Sequence, residues 1–207
     1  YERKYILNQN KELIFRNFLI KYNFKNLFEK RKINSIYFDT RNFKFYRENI
    51  EGISERKKVR LRWYNDNINN SIIEIKNKNG FLGWKDYYKI KINLDNLNKN
   101  NNQLKKIKIF NKYDLFPILK ITYYREYFLS FCGKFRATLD TNIKINHKIN
   151  KNYDDFHLNK SVMEFKYEKN NDTSFRKFLK SVEFNFRFQK YSKYVSGLHL
   201  LKRNFLI

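Results

Sequence analysis

The sequence predicts an α+β fold, an antiparallel sheet of about eight strands that closes on itself into a barrel with amphipathic helices packed outside. Three observations predict it. Short segments throughout the chain alternate polar and apolar residues, the period of a strand. In these segments the charges collect on one side of the alternation. Turn signals separate them, and Asn79-Gly80 is the strongest of these. A hydrophobic content of 42%, with 19% aromatic residues, supports a packed core despite a mean hydropathy of -0.81. At 207 residues the chain is expected to form a single domain, 1–207.

The opening segment, residues 1–7, alternates as a strand, with Glu2 and Lys4 on one face and Tyr5 and Leu7 on the other. Asn10 is a candidate cap for a helix with a stripe of Ile14, Phe18, Leu19 and Tyr22. Residues 35–40 read as a short apolar strand ending in a turn, with 43–46 continuing the packing. The stretch 56–64 is the clearest strand: Lys58, Arg60, Arg62 and Tyr64 share one face, Val59, Leu61 and Trp63 the other. After a polar loop at 65–70, a strand aligns Glu74, Lys76 and Lys78 against Ile73 and Ile75, and Gly80 turns the chain into a strand opened by Trp84 and Lys85. A polar linker at 95–102 precedes a short helix at 103–111.

Residues 118–130 and 135–141 read as a hairpin turning at Cys132-Gly133, the second strand carrying Arg136, Thr138 and Asp140 on one face. Residues 142–159 suggest one further strand and a loop with His147 and His157. The segment 162–168 is the last clear strand, with Glu164, Lys166 and Glu168 on a common face. Thr173 or Ser174 is expected to cap a helix carrying Phe175, Phe178, Leu179 and Val182, and a final helix carries Val195, Leu198 and Leu201.

Forty-five Lys and Arg against 20 Asp and Glu leave a net charge of +25, which calls for a polyanionic partner: nucleic acid, a phosphate-rich small molecule or an acidic membrane surface. The single cysteine, Cys132, excludes an internal disulfide, fits a reducing compartment, and reads as a thiol packed beside Phe131 and Phe135. No apolar run approaches the roughly 20 residues that span a bilayer, and the start shows no secretory leader. A soluble, cytoplasmic protein is expected. The three histidines lack metal-site spacing. Alternation alone leaves two arrangements open: charges lining the inside of a barrel, or charges facing solvent over an ordinary α+β core.

Eight stretches in order carry a resemblance. They are residues 2–5, 35–40, 56–64, 73–76, 123–125, 136–140, 163–167 and 191–194, including the run Arg56-Lys57-Lys58-Val59-Arg60-Leu61-Arg62-Trp63-Tyr64. Together they resemble the VTC domain, the polyphosphate polymerase module of the vacuolar transporter chaperone complex and a member of the triphosphate tunnel metalloenzymes. That resemblance implies a closed barrel with the charges inside. It implies phosphate contacts from the catalytic set Arg60, Arg62, Lys76, Arg125 and Arg136, and from Lys4, Lys85, Tyr123, Lys190, Ser192 and Lys193. It also implies metal ligation by Glu164, with Glu2 and Glu74 as candidates to share the ion.

The implied activity is ATP-dependent polyphosphate synthesis with Mn2+ or Mg2+, in which the γ-phosphate of ATP passes to a growing chain. Such a transfer relies on charge neutralisation and in-line positioning, and the anionic acceptor needs no general base. A triphosphatase of the same superfamily, a catalytically silent polyphosphate sensor and a nucleic-acid binder are the rivals. Basic strands interleaved with aromatics suit the last, although no nucleic-acid motif is present. Arg60→Ala or Arg125→Ala is expected to abolish polymer formation without unfolding the chain.

Overall fold

A computed structural model describes residues 1–97, 101–147, 156–182 and 184–205. Its strands are β1 (Glu2–Leu7), β2 (Lys25–Thr40), β3 (Arg56–Tyr64), β4 (Asn67–Asn79), β5 (Leu82–Ile90), β6 (Leu115–Leu129), β7 (Arg136–Asn146), β8 (Phe156–Leu158) and β9 (Ser161–Lys166). The α-helices are α1 (Gln9–Lys21), α2 (Lys44–Glu51), α3 (Asn102–Lys105), α4 (Lys108–Lys112), α5 (Asp172–Ser181) and α6 (Lys193–Phe205). The fold is thus α+β with a mostly antiparallel sheet. Hydrogen-bonded neighbours run β1-β9-β7-β6-β2-β3-β4-β5, with β8 beside β7. This path ends at β1 and β5, so the sheet as paired is open where closure was expected. A physical reason lies on β1, where the backbone N–H of Gln189 bonds the carbonyl of Lys4 at 2.8 Å, so a tail segment meets that strand.

The chain divides into two compact units, one of residues 1–32, 123–143 and 157–191, the other of residues 33–122, 144–156 and 192–207. In the first, Tyr5 and Leu7 of β1, Ala137 and Leu139 of β7, and Met163 and Phe165 of β9 point to one side, where they bury Phe15, Phe18 and Leu19 of α1 and Phe175 of α5. The α1 stripe differs from the expected one. Asn8 caps the helix, accepting from the Lys11 N–H at 2.9 Å, and Phe15 replaces Ile14, which is exposed. The start shifts because the side chain at 8 reaches the first free N–H groups. Helix α5 begins after Asn171 with no side-chain cap from Thr173 or Ser174, which lie inside it.

In the second unit, Val59, Leu61 and Trp63 of β3 pack with Ile73 and Ile75 of β4, Ile36 and Phe38 of β2, and residues of α2, α3 and α4. Each fully buried Val or Leu there contributes about 1.5–3 kcal/mol relative to exposure. Helix α2 lies where the sequence reading saw only continued packing. Its first N–H groups are satisfied by the residues just before it: Phe45 N and Tyr46 N donate to the Asp39 carboxylate at 2.9 and 2.8 Å, and Lys44 N to Thr40 Oγ1 at 3.0 Å. Gly80 turns β4 into β5 at a φ of +56°, a backbone state natural to glycine.

Helix α6 departs from the expectation that helices lie only on the apolar side. Tyr194 stacks on Tyr37 at 5.0 Å, and Tyr37 stands opposite Arg60 on the charged side of the strands. Gly197 lies against Ile121 and Ile145, where a Cβ would sit at 3.4 Å in ordinary van der Waals contact. Cys132 is also corrected. It is exposed in the β6–β7 turn next to an exposed Phe131, because a tight turn held by Gly133 N to Ser130 O at 2.8 Å leaves no room to bury it. The expected linker at 95–102 and the loop after His147 fall partly outside the described residues. No helix among the described residues is long and apolar enough to cross a membrane.

Candidate functional site

Each unit carries a charged strand face, and the strand registers assemble both. In the second unit Tyr37, Arg60, Glu74 and Tyr87 stand abreast across β2, β3, β4 and β5. On one side of this row lie Ser35, Arg62, Ile72 and Lys89; on the other, Lys58, Lys76 and Lys85. Pairing in register is what brings residues from such distant parts of the chain together.

Glu74 is the hub of that face. Only 3% exposed, it meets Arg60 Nη2 at 2.5 Å, Arg62 Nη1 at 3.3 Å and Lys85 Nζ at 3.3 Å. Burial alone would raise its carboxyl, but the charges of Arg60, Arg62 and Lys85 outweigh burial and hold it at about 2. Arg60 also donates from Nη1 to the Tyr37 hydroxyl at 3.2 Å. Tyr37 is in turn stacked on Tyr194, whose hydroxyl donates to the buried Asp39 carboxylate at 2.5 Å. Lys58 Nζ donates to Ser192 Oγ at 2.9 Å, so the residue before α6 reaches the lysine row. Lys193 opens α6 half-buried.

The first unit's face is built differently. Glu2, Lys166 and Arg136 stand abreast on β1, β9 and β7; Lys4, Glu164 and Thr138 form the next row. Lys4 Nζ lies 2.8 Å from Glu2 and 3.6 Å from Glu164, and Lys166 Nζ lies 3.8 Å from Glu2 and 2.8 Å from Glu164. Burial pushes the Glu164 carboxyl up and Glu2 adds to that, but Lys4 and Lys166 bring it below the ordinary carboxylate range. Lys4 also donates to the carbonyl of Tyr191 at 3.4 Å. Arg125, half-buried over the Tyr123 ring, grips Asp140 with two bonds, Nε to Oδ1 at 2.5 Å and Nη2 to Oδ2 at 2.7 Å. Asp140 raises the Arg125 guanidinium well above its ordinary value against the opposing effect of burial.

Geometry thus gathers Arg60, Arg62, Lys76, Lys85 and Ser192 with Glu74 in one unit, and Lys4, Glu2 and Glu164 in the other. Arg136 is exposed in the row of Lys166. Tyr123 is buried beneath Arg125, and Lys190 is exposed on the tail, apart from the ion pairs described here. Lys58, Lys166, Asp140, Tyr37 and Asp39 join these faces without a role in the sequence reading. The alternation of Ser35, Tyr37 and Asp39 with Ile36 and Phe38 was the available signal for the last two.

The donor chemistry tests the implied divalent ion. Glu2 and Glu164 converge on the same two ammonium groups, so two hard carboxylates already gather around positive charge. That fits Mg2+ or Mn2+, which take one or two carboxylates and complete their shell with phosphate oxygens and water. Glu74 fits less well, since three cations already occupy its oxygens. Among the described residues no three of His, Cys, Asp and Glu gather as a ligand set.

These strands define an antiparallel α+β protein with two charged strand faces. Residues 1–202 match the VTC domain, and the chain belongs to that family. None of the curated proteins matches it in sequence. Solved structures share its fold. PH1819 from Pyrococcus horikoshii OT3 aligns at 18% identity and a TM-score of 0.53, over 100% of this chain and 99% of that one. HpAC1 from Hippeastrum, described with a dominant triphosphatase activity, aligns at 13% and 0.61, over 99% and 96%. A proposed adenylate cyclase from Vibrio parahaemolyticus aligns at 15% and 0.51, over 93% and 94%.

Proposed function

We propose that residues 1–207 act as one domain that polymerises phosphate, moving the γ-phosphate of ATP onto the end of a polyphosphate chain inside a basic tunnel. Membership of the VTC family supports the reading. The observation that carries it is the row Lys58, Lys76, Lys85, three cations abreast on adjacent strands beside Arg60 and Arg62, a placement that suits a polyanion. Arg60 and Arg62 add planar forks that bond phosphate oxygens two at a time, whereas the lysines act as movable point charges. Lys193 adds a basic contact in the same unit, and in the other unit Arg136 and Lys190 supply cations of their own, with Tyr123 supporting Arg125.

Glu164 and Glu2 would hold Mn2+ or Mg2+, which when bound neutralises charge on the transferring phosphoryl group. The acceptor oxygen is already ionised, so these side chains have to orient the two phosphates and exclude competing water rather than remove a proton. The cytoplasm, with its ATP supply, is the compartment this reaction suits. A triphosphatase is the second reading, favoured by the activity described for HpAC1 and by the paired Glu2 and Glu164 carboxylates.

Incubation with ATP and Mn2+, followed by gel staining for polyphosphate, separates these readings. Polymer supports the polymerase. Free phosphate without polymer selects the triphosphatase, while neither product with salt-sensitive RNA binding returns the chain to the nucleic-acid class.

A further inference from the structure

We propose that Ser35 is a further ligand-binding residue, its hydroxyl and the Nε–H of Arg62 together receiving one oxygen of the bound phosphate chain. The inference rests on the polyphosphate reading above and assigns one contact within it.

Ser35 on β2 and Arg62 on β3 are direct register partners, so their side chains leave the same face of the sheet about 5 Å apart. Ser35 is fully buried, and its Oγ has no hydrogen-bond partner among the described residues. Arg62 Nε is buried and lacks a partner as well, although its Nη1 reaches Glu74. A buried donor left unmade is costly, and native proteins keep few of them. Here two fall on a single cross-strand pair beside Arg60 and Glu74.

The chemistry of the two atoms narrows the ligand. Arginine Nε can only donate, and a serine hydroxyl can donate too. A pair of donors selects an acceptor such as a phosphate oxygen and disfavours a metal ion. One side of the Arg62 fork faces Glu74, which leaves the Nε edge for substrate. Serine at 35 follows Asn34 and precedes the apolar stretch Ile36-Tyr37-Phe38, and alanine there would fill nearly the same space without an unmet polar group.

Calorimetric titration of metal-free protein with tripolyphosphate tests the assignment. Ser35→Ala is expected to weaken binding about tenfold, the loss of one hydrogen bond to a charged group. Its thermal midpoint should stay level or rise, because the variant deletes a hydroxyl that the empty protein leaves unpaired. Arg62→Lys, which keeps the charge and lacks Nε, should weaken binding too. The double variant should bind no worse than the weaker single one, as expected when both atoms serve one oxygen. Affinity unchanged in Ser35→Ala with a lowered midpoint would overturn the assignment and make the hydroxyl a structural group bonded to water, leaving the polyphosphate reading intact. Failure of the wild-type protein to bind tripolyphosphate would sink that reading, and this contact with it.

Discussion

Glu74 and Glu164 are both buried carboxylates in strands, yet they keep different company. Glu74 stands alone against two guanidinium forks and one ammonium. Glu164 shares two lysines with a second carboxylate, Glu2. The first arrangement is over-supplied with positive charge and geometrically fixed, since arginine's planar fork is pre-organised. The second is balanced, two carboxylates against two ammonium groups on long unbranched stems. The difference teaches that the two faces are built for different charge balances, which is the basis of the phosphate and metal roles proposed above and which total charge cannot reveal.

The most disruptive way to probe this contrast is at Arg125. Its partner Asp140 is 1% exposed, so Arg125→Ala removes a two-bond partner from a buried carboxylate and should cost about 3 kcal/mol of stability in a urea titration. The sequence expectation is loss of activity with the fold intact, and the same titration decides between the two. Arg125→Met combined with Asp140→Leu should recover most of the loss, and failure to recover would mean that the pair does more than neutralise itself.

Glu74→Gln comes next, at roughly 3 kcal/mol near neutral pH. The sign follows from the depressed carboxyl. Its folded value of about 2 lies below that of the unfolded chain, so the stabilisation is complete above the ordinary carboxylate range and drains away as pH falls toward 2. Unfolding curves of wild type and variant should therefore converge in acid. Tripolyphosphate should bind the variant more tightly, because a competing anion has gone; weaker binding would break the assignment of this face.

A smaller effect should separate the two carboxylates directly. Glu164→Gln should shift the Mn2+ midpoint of turnover by about tenfold, whereas Glu74→Gln should leave it in place. Equal shifts in both would erase the division between the faces. Smallest of all is Lys190→Ala: an exposed tail charge should change tripolyphosphate affinity by no more than about fivefold and flatten its salt dependence.

Much of this architecture was legible in the residues. The alternation in 56–64 correctly assigned Val59, Leu61 and Trp63 to the core and Lys58, Arg60 and Arg62 to the opposite face. Asn79-Gly80 marked the β4–β5 turn. What alternation could not supply was depth or partner. The first half of β2, residues 25–32, is too charged to alternate, so the strand was read as beginning ten residues late. Helix α2 was missed because Asp39 and Thr40 looked like a turn, although the same residues with Gly52 behind them also make helix start and stop signals. Glu74 is expected from the sequence only as a candidate to share a metal ion, and sequence order gives no means of seeing that Arg60, Arg62 and Lys85 already satisfy it. Only the cross-strand register shows that.

The carboxylate of Glu74 has one further consequence. Arginines that arrive already engaged do not seize an incoming phosphate outright; each contact is an exchange of one anion for another, with a small net gain. On the polyphosphate reading proposed above, a chain held at this face would shift along by one unit without escaping, because Glu74 would refill the contacts with Arg60, Arg62 and Lys85 that it vacates. A resident counter-anion would thus let a strongly cationic surface work as a ratchet for a moving chain instead of a trap for a static one.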